Sequence, residues 1–252
     1  MNFLDQFKLN GKVAFITGGS RGLGLEMATA LSQAGAQVAL MARREKYFDE
    51  ARAELPGAHC VVGDVSSEAD VKRAVADTQQ KFGEIGILIN AAGIAWGAPA
   101  VEMTAEKFRE VMQVNVDGTF YACKACAPDM IKTGYGKMIN IASIAGIVAE
   151  PPEILDAVGY STSKAAVIML TKDLAAKWGR HGVRVNAIAP GFFPTKMTEK
   201  NLPKIEAMIN ARTPLGRAGK TGEIGAAALF LASAASDYVT GHILAVDGGT
   251  VI

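Results

Sequence analysis

Short apolar runs alternate with longer stretches of helical period along the whole chain. Strands are predicted at 12–17, 37–42, 59–63, 86–90, 137–142, 183–188 and 243–246. These runs are rich in Val, Ile, Leu and Ala with little polar alternation, the pattern of strands buried on both faces. Between them the period lengthens to that of a helix near 22–34, 44–54, 67–82, 104–132, 158–180 and 221–233. Such alternation predicts an α/β fold, a Rossmann-type, doubly wound seven-stranded parallel sheet with helices on both faces. No composition shift, long linker or repeat interrupts residues 1–252, so a single domain is expected.

A ligand of such a sheet sits at the carboxyl ends of its strands. Those ends carry small, polar or glycine residues one after another: Thr17-Gly18, Ala42-Arg43, Asp64-Val65, Asn90-Ala91-Ala92-Gly93, Ala142-Ser143 and Ala189-Pro190-Gly191. The first opens the turn Thr17-Gly-Gly-Ser-Arg-Gly-Leu-Gly24, between a predicted strand and a predicted helix. Glycines there let the backbone approach a pyrophosphate, and the helix N-terminus offers N–H groups and partial positive charge. Gly18, Gly22 and Gly24 do not follow the spacing G-x-G-x-x-G, and a flexible surface turn is the competing reading.

Composition narrows the choice of partners. Half of the 252 residues are hydrophobic, a fifth are charged, and the net charge is +1, as in a globular protein with a substantial core. That balance gives no basic footprint for nucleic acid, and no apolar run is long enough to span a bilayer. Residues Met1 to Asn10 show no signal-peptide core. Three cysteines, an odd number, suit a reducing cytoplasm. Cys123-x-x-Cys126 has the spacing of a redox pair or half a zinc site, yet it falls in a predicted helix with no second ligand pair. His59, His181 and His242 share no ligand spacing, so no metal is expected.

Tyr160-Ser-Thr-Ser-Lys164 is the one Tyr-x-x-x-Lys in the chain. Residues four apart share a helix face, so phenol and ammonium can approach. A neighbouring cation favours phenolate and lowers a tyrosine pKa, which suits an acid–base catalyst for a carbonyl or an alcohol. An incidental pair on an amphipathic helix is the alternative. Ser143, at the end of the fifth predicted strand, could hold the substrate oxygen, or it could simply cap a turn.

In order, Thr17-Gly-x-x-x-Gly-x-Gly24, Asp64-Val65, Asn90-Ala-Ala-Gly93, Asn115, Ser143, Tyr160-x-x-x-Lys164, Pro190-Gly191 and Val246-Asp-Gly-Gly249 resemble the motifs of the short-chain dehydrogenases/reductases over essentially the whole length. The resemblance implies hydride transfer between a nicotinamide dinucleotide and a ketone or secondary alcohol. It makes Tyr160 the acid/base, with Ser143 orienting the substrate oxygen. Lys164 would bind the nicotinamide ribose and tune Tyr160, and Asn115 would anchor a water in a proton relay. Cofactor contacts are implied for Gly18, Ser20, Arg21, Gly22, Leu23, Gly24, Asp64, Val65, Asn90, Ala91, Gly93, Tyr160, Lys164, Pro190, Gly191, Phe193 and Thr195. A homotetramer is implied as well. Ala91 departs from the family pattern, where a second asparagine is common. The gap from Ser143 to Tyr160 is also longer than in many relatives, and its acidic segment 149–158 is expected to loop beside the substrate.

The end of the second strand bears on the cofactor. A carboxylate there serves the ribose hydroxyls of NAD, whereas a 2′-phosphate needs positive charge. Ala42 is followed by Arg43 and Arg44, and Arg21 lies in the glycine turn, so NADP(H) is expected. Residues 192–217 are expected to form a substrate lid. Phe192, Phe193, Met197, Leu202, Ile205, Met208 and Ile209 would give it an apolar wall, and Lys196, Lys200, Lys204 and Arg212 a basic rim. The resemblance is to 3-oxoacyl-thioester reductases and to gluconate 5-dehydrogenase-like enzymes. A 3-oxoacyl-type carbonyl is the first substrate expectation, a polyol or sugar acid the second, and a noncatalytic dinucleotide-binding subunit the third. Two positions that grip an acyl carrier protein in such reductases are Gly134 and His181 here, with Lys132, Lys137 and Arg180 adjacent.

Overall fold

The computed structural model of the protein describes residues 2–194 and 202–252. The strands β1 (Val13–Thr17), β2 (Gln37–Ala42), β3 (His59–Val62), β4 (Ile87–Asn90), β5 (Gly136–Ile141), β6 (Val183–Pro190) and β7 (Ile243–Val246) form one sheet. Their spatial order is β3-β2-β1-β4-β5-β6-β7, and every neighbouring pair is parallel. The helices are α1 (Gly22–Gln33), α2 (Phe48–Glu54), α3 (Glu68–Phe82), α4 (Ala105–Met112), α5 (Gly118–Thr133), α6 (Pro152–Leu155), α7 (Val158–Trp178), α8 (Leu202–Arg212) and α9 (Glu223–Ala232).

Successive strand residues face opposite sides of the sheet. Val13, Phe15, Ala39, Met41, Leu88 and Met138 enter one core layer with α3, α5 and α7. Ala14, Ile16, Val38, Leu40, Ile87, Ile89 and Ile139 enter the other with α1 and α9. Both layers exclude water, which is why these strands read as unbroken apolar runs. Each fully buried large side chain contributes roughly 1.5–3 kcal/mol relative to exposure.

Packing of α1 on α9 depends on two residues. A Cβ on Gly225 would stand 3.1 Å from the Cβ of Ala30, so glycine lets the helices cross closely. The Glu26 Oε1 atom accepts N–H bonds from Gly222, Ile224 and Gly225 at 2.9, 3.0 and 2.9 Å. A carboxylate from one helix thereby caps the N-terminus of another.

The predicted helix over 104–132 is instead interrupted. A π-helical turn, Gln113–Asp117, separates α4 from α5 and puts Asn115 into the interior. The predicted helix from 44 opens as a 3₁₀ turn, Glu45–Tyr47, before α2 begins at Phe48. Segment 149–158 is not a plain loop. It contains α6, and its Ala157 bridges to Ala98 in the loop after β4. Cys123 and Cys126 are fully buried; burial pushes the Cys123 thiol up to about 12 and the Cys126 thiol well upward too. They are packing residues. Among the described residues there is no cluster of metal-ligating side chains, and no helix is long and apolar enough to cross a membrane.

Candidate active site

The chain order reverses between β1 and β4, and Thr17 pairs with Asn90 at the carboxyl end of that seam. A crevice opens there because the connections leave in opposite directions. The two turns that follow touch each other. Gly18 has φ +68°, and a Cβ on it would lie 2.6 Å from the backbone nitrogen of Ala92. A Cβ on Gly24 would meet the Gly18 carbonyl oxygen at 2.3 Å, so helix α1 can begin close behind the turn only with glycine there. Arg21, the residue before α1, supplies no side-chain cap, which leaves the helix's first N–H groups open to an anion.

A cleft of about 530 Å³ follows this seam. One end is walled by Arg21, Arg43 and Tyr47, the other by Ser143, Tyr160 and Lys164. Between them lie Gly18, Ser20, Gly22, Leu23, Gly24, Val65, Ala91, Gly93, Pro190, Gly191 and Phe193, all anticipated from the sequence. A larger surface groove of about 930 Å³ runs between α1, α9 and the 3₁₀ turn Phe3–Phe7, but Ser143, Tyr160 and Lys164 do not line it. Those three candidate catalytic residues line the smaller cleft.

Ser143, Tyr160 and Lys164, the candidate catalytic side chains, come from two parts of the fold. Ser143 lies two residues past β5 in an extended conformation, and its Oγ accepts the Ala145 N–H at 3.2 Å. The Tyr160 phenol is its neighbour, and the Ser143 side chain favours the ionised phenol. Helix α7 presents Tyr160 and, one turn on, Lys164, whose Nζ lies 5.5 Å from the phenol ring centroid. Lys164 is buried and donates to the Ile141 carbonyl at 2.7 Å. Burial lowers the Lys164 pKa to about 8. Burial raises that of Tyr160, and the neighbouring Ser143 side chain pulls it back. The expected lowering of the Tyr160 pKa by Lys164 is therefore absent in the protein alone: both groups are desolvated, and Ser143 is the neighbour that favours phenolate.

Asn115 stands behind the cleft. Its Oδ1 accepts the Ile94 N–H at 2.8 Å, while its Nδ2 donates to the Ile94 carbonyl and to Ser163 Oγ, each at 2.9 Å. Ser163 in turn donates to the Tyr160 carbonyl at 2.7 Å. The π-turn thus ties the loop after β4 to the helix that carries Tyr160. The Asn115 side chain is fully used, and its carbonyl already accepts the Thr119 hydroxyl at 2.8 Å.

Several sequence expectations shift. Gly63 and Val65 line the cleft wall and Asp64 does not; its Oδ1 accepts the N–H and hydroxyl of Ser66 at 2.9 and 2.8 Å. Asn90 is buried beneath the site, donating to Asn140 Oδ1 at 2.9 Å and to Cys123 Sγ at 3.3 Å. Arg44 lies beyond the cleft wall, its guanidinium 5.8 Å from the Tyr47 ring. Arg212 is no part of a free basic rim, since it pairs with Glu150 at 2.6 Å. Thr195, Lys196, Met197 and Lys200 lie outside the described residues. Sequence reasoning missed Tyr47 and Ile94. The signals were an aromatic four residues past Arg43 and an apolar residue directly after Gly93.

Comparison with known proteins agrees with this geometry. A family model described as enoyl-(acyl carrier protein) reductase matches residues 18–251. The chain is 42% identical to the galactitol 2-dehydrogenase (L-tagatose-forming) of Cereibacter sphaeroides, covering 100% of both chains. It is 39% identical to the 3-oxoacyl-(acyl-carrier-protein) reductase of Thermotoga maritima, covering 97% of this chain and 100% of that one. A Burkholderia cenocepacia gluconate 5-dehydrogenase, solved in complex with NADP and tartrate, superposes with TM-score 0.92 at 39% identity over 98% of each chain. With the seven-stranded parallel sheet and the Ser143, Tyr160 and Lys164 cluster at its seam, these matches show that the chain belongs to the short-chain dehydrogenase/reductase family of oxidoreductases.

Proposed function

We propose that the protein interconverts a secondary alcohol and a ketone with NADP(H), and that the substrate is a small polyol or sugar acid. The observation that carries the reading is one cleft with two arginines at one end and the Ser143–Tyr160–Lys164 cluster at the other. The residues fit a dinucleotide: the uncapped N-terminus of α1 suits the pyrophosphate, and Arg21 and Arg43 suit a 2′-phosphate. When bound, the nicotinamide supplies or accepts the hydride.

The chain's own residues manage the oxygen and its proton. Ser143 holds the substrate oxygen by a hydrogen bond and favours the phenolate of Tyr160. Tyr160 donates a proton to the carbonyl oxygen during reduction and takes it back during oxidation. Lys164, fixed by Ile141, sits one helical turn away with two further N–H donors for the ribose. Asn115 positions rather than reacts, by holding Ile94 and, through Ser163, the turn of α7 that carries Tyr160.

The galactitol and gluconate relatives support the substrate class. Docking of an acyl carrier protein loses support from its own expected cations. Lys137 is wholly buried and paired with Asp237 at 2.8 Å, and Lys132 faces Glu84 at 3.7 Å. A cytoplasmic homotetramer completes the reading, supported by three unpaired cysteines and by the exposed apolar side chains Phe120 and Met169 on α5 and α7. The test is kcat/KM for galactitol, gluconate and a 3-oxoacyl thioester, each with both dinucleotides. Preference for a polyhydroxylated substrate with NADP(H) is expected; preference for the thioester or for NAD(H) overturns the corresponding half.

A further inference from the structure

Arg21 and Arg43 wall one end of the cleft, and Arg44 and Lys46 stand beyond that wall around the Tyr47 ring. Arg21 comes from the glycine turn, and Arg43, Arg44 and Lys46 come from the segment after β2. The acidic residue in that segment, Glu45, is already held by Arg52 at 2.5 Å. Three of the four cations converge on one aromatic ring. The Arg21 guanidinium carbon lies 4.5 Å from the Tyr47 ring centroid, that of Arg44 5.8 Å and the Lys46 ammonium 5.9 Å. Tyr47 is half-buried, ends the 3₁₀ turn Glu45–Tyr47 and lines the cleft beside Arg21 and Arg43.

Arg21 is the closest of the three. It is exposed, and an unrestrained arginine carries large rotamer entropy that binding must remove. The face of an aromatic ring is electron-rich and attracts a guanidinium, while leaving its N–H fork free at the edges. A ring that holds the guanidinium before the ligand arrives removes part of that cost, which is preorganisation in its plain sense. The fork is then presented to a planar-matched oxyanion rather than to water. No such need arises for a ribose that bears only hydroxyls.

We infer that Tyr47 is a positioning residue for the 2′-phosphate: its ring holds Arg21 in place and thereby sets part of the preference for NADP(H) over NAD(H). The inference rests on the NADP(H) reading above. It assigns a role to a side chain that contributes no charge and belongs to none of the motifs in the sequence.

Calorimetric binding to the whole protein, with adenosine 2′,5′-bisphosphate and with 5′-ADP as probes, tests it without relying on turnover. Tyr47→Leu is expected to weaken the 2′,5′-bisphosphate about fivefold, the factor for one partly exposed cation–π contact. Binding of 5′-ADP should shift by less than about twofold, within the range of a surface substitution. Tyr47→Phe, which keeps the ring, should bind both probes as the wild type does. In an Arg21→Ala background Tyr47→Leu should add nothing further, because its effect passes through Arg21. Equal weakening of both probes, or a full additional loss in the Arg21→Ala background, overturns the inference. A wild type that binds the two probes equally overturns the NADP(H) reading itself, whatever Tyr47 does. Should Tyr47→Leu fail to fold, Tyr47→Gln takes its place, with the same expected weakening of the 2′,5′-bisphosphate alone and the same overturning results.

Discussion

Tyr160 and Lys164 lie one helical turn apart, but burial acts on them in opposite directions. It raises the phenol's pKa and lowers the ammonium's to about 8. Removing the phenolic oxygen leaves the ring, and with it most of the packing. Tyr160→Phe should therefore lower kcat by about 10²–10⁴-fold, the range for losing a positioned acid–base group, while NADP(H) binding stays near that of the wild type. Turnover retained in that variant would remove Tyr160 from the chemistry. Lys164 carries a stability cost that can be read against pH. Its unfolded pKa is near 10.5 and its folded value about 8, so between these the unfolded chain binds more protons and stability rises with pH. At pH 7 the charged, buried ammonium costs about 3 kcal/mol, partly offset by the bond to Ile141. Lys164→Met should accordingly raise the Tm of the cofactor-free protein at pH 7, and the gain should shrink as pH climbs from 8 to 10.5. Thermal unfolding of both proteins at several pH values checks this; a gain that is constant or grows with pH refutes it.

Elements were legible where their cause is local, and obscure where it is not. The seven strands appear close to their predicted limits because double burial writes itself into a continuous apolar run. The glycine turn and the Tyr-x-x-x-Lys face were visible because chain-adjacent residues make them. The π-turn at Asn115 was not, since one extra residue in a helical turn barely disturbs a 3.6-residue period. Asp64 illustrates a second limit: its position at a strand end was right, but its short side chain is used by Ser66 two residues on. The capping of α9 by Glu26 lay further out of reach, because almost two hundred residues separate the partners. Glu26→Ala strands three N–H groups at the start of α9, where the cap also complements the helix dipole. The expected loss is about 2 kcal/mol in chemical denaturation, with the m-value unchanged. A loss below about 0.5 kcal/mol would mean that water serves those groups equally well.

At the scale of the whole molecule, the helix that carries Tyr160 and Lys164 also carries an exposed apolar side chain. Met169 is 63% exposed on α7, five residues beyond Lys164, and Phe120 is exposed on α5, which packs on the same sheet face. Scattered apolar residues on a surface need no partner, but a methionine this open, with a second exposed apolar side chain on α5, suits a face covered by a second copy. At the far edge of the sheet β7 is only half-buried, and Tyr238 and Ile252 near it are fully exposed. An uncovered edge strand is a second surface that a copy of the chain can close. Two distinct self-complementary faces generate a closed tetramer of dihedral symmetry. Light scattering should therefore give four times the 26.4 kDa chain mass for the wild type. Met169→Glu places a charge in the α5–α7 face alone, so it should yield dimers still joined through the β7 edge. A wild-type monomer would remove the tetramer, and a Met169→Glu tetramer would show that the α7 face is free. Because α7 is also the frame for Tyr160 and Lys164, the dimers should lose activity more steeply than they lose dinucleotide binding.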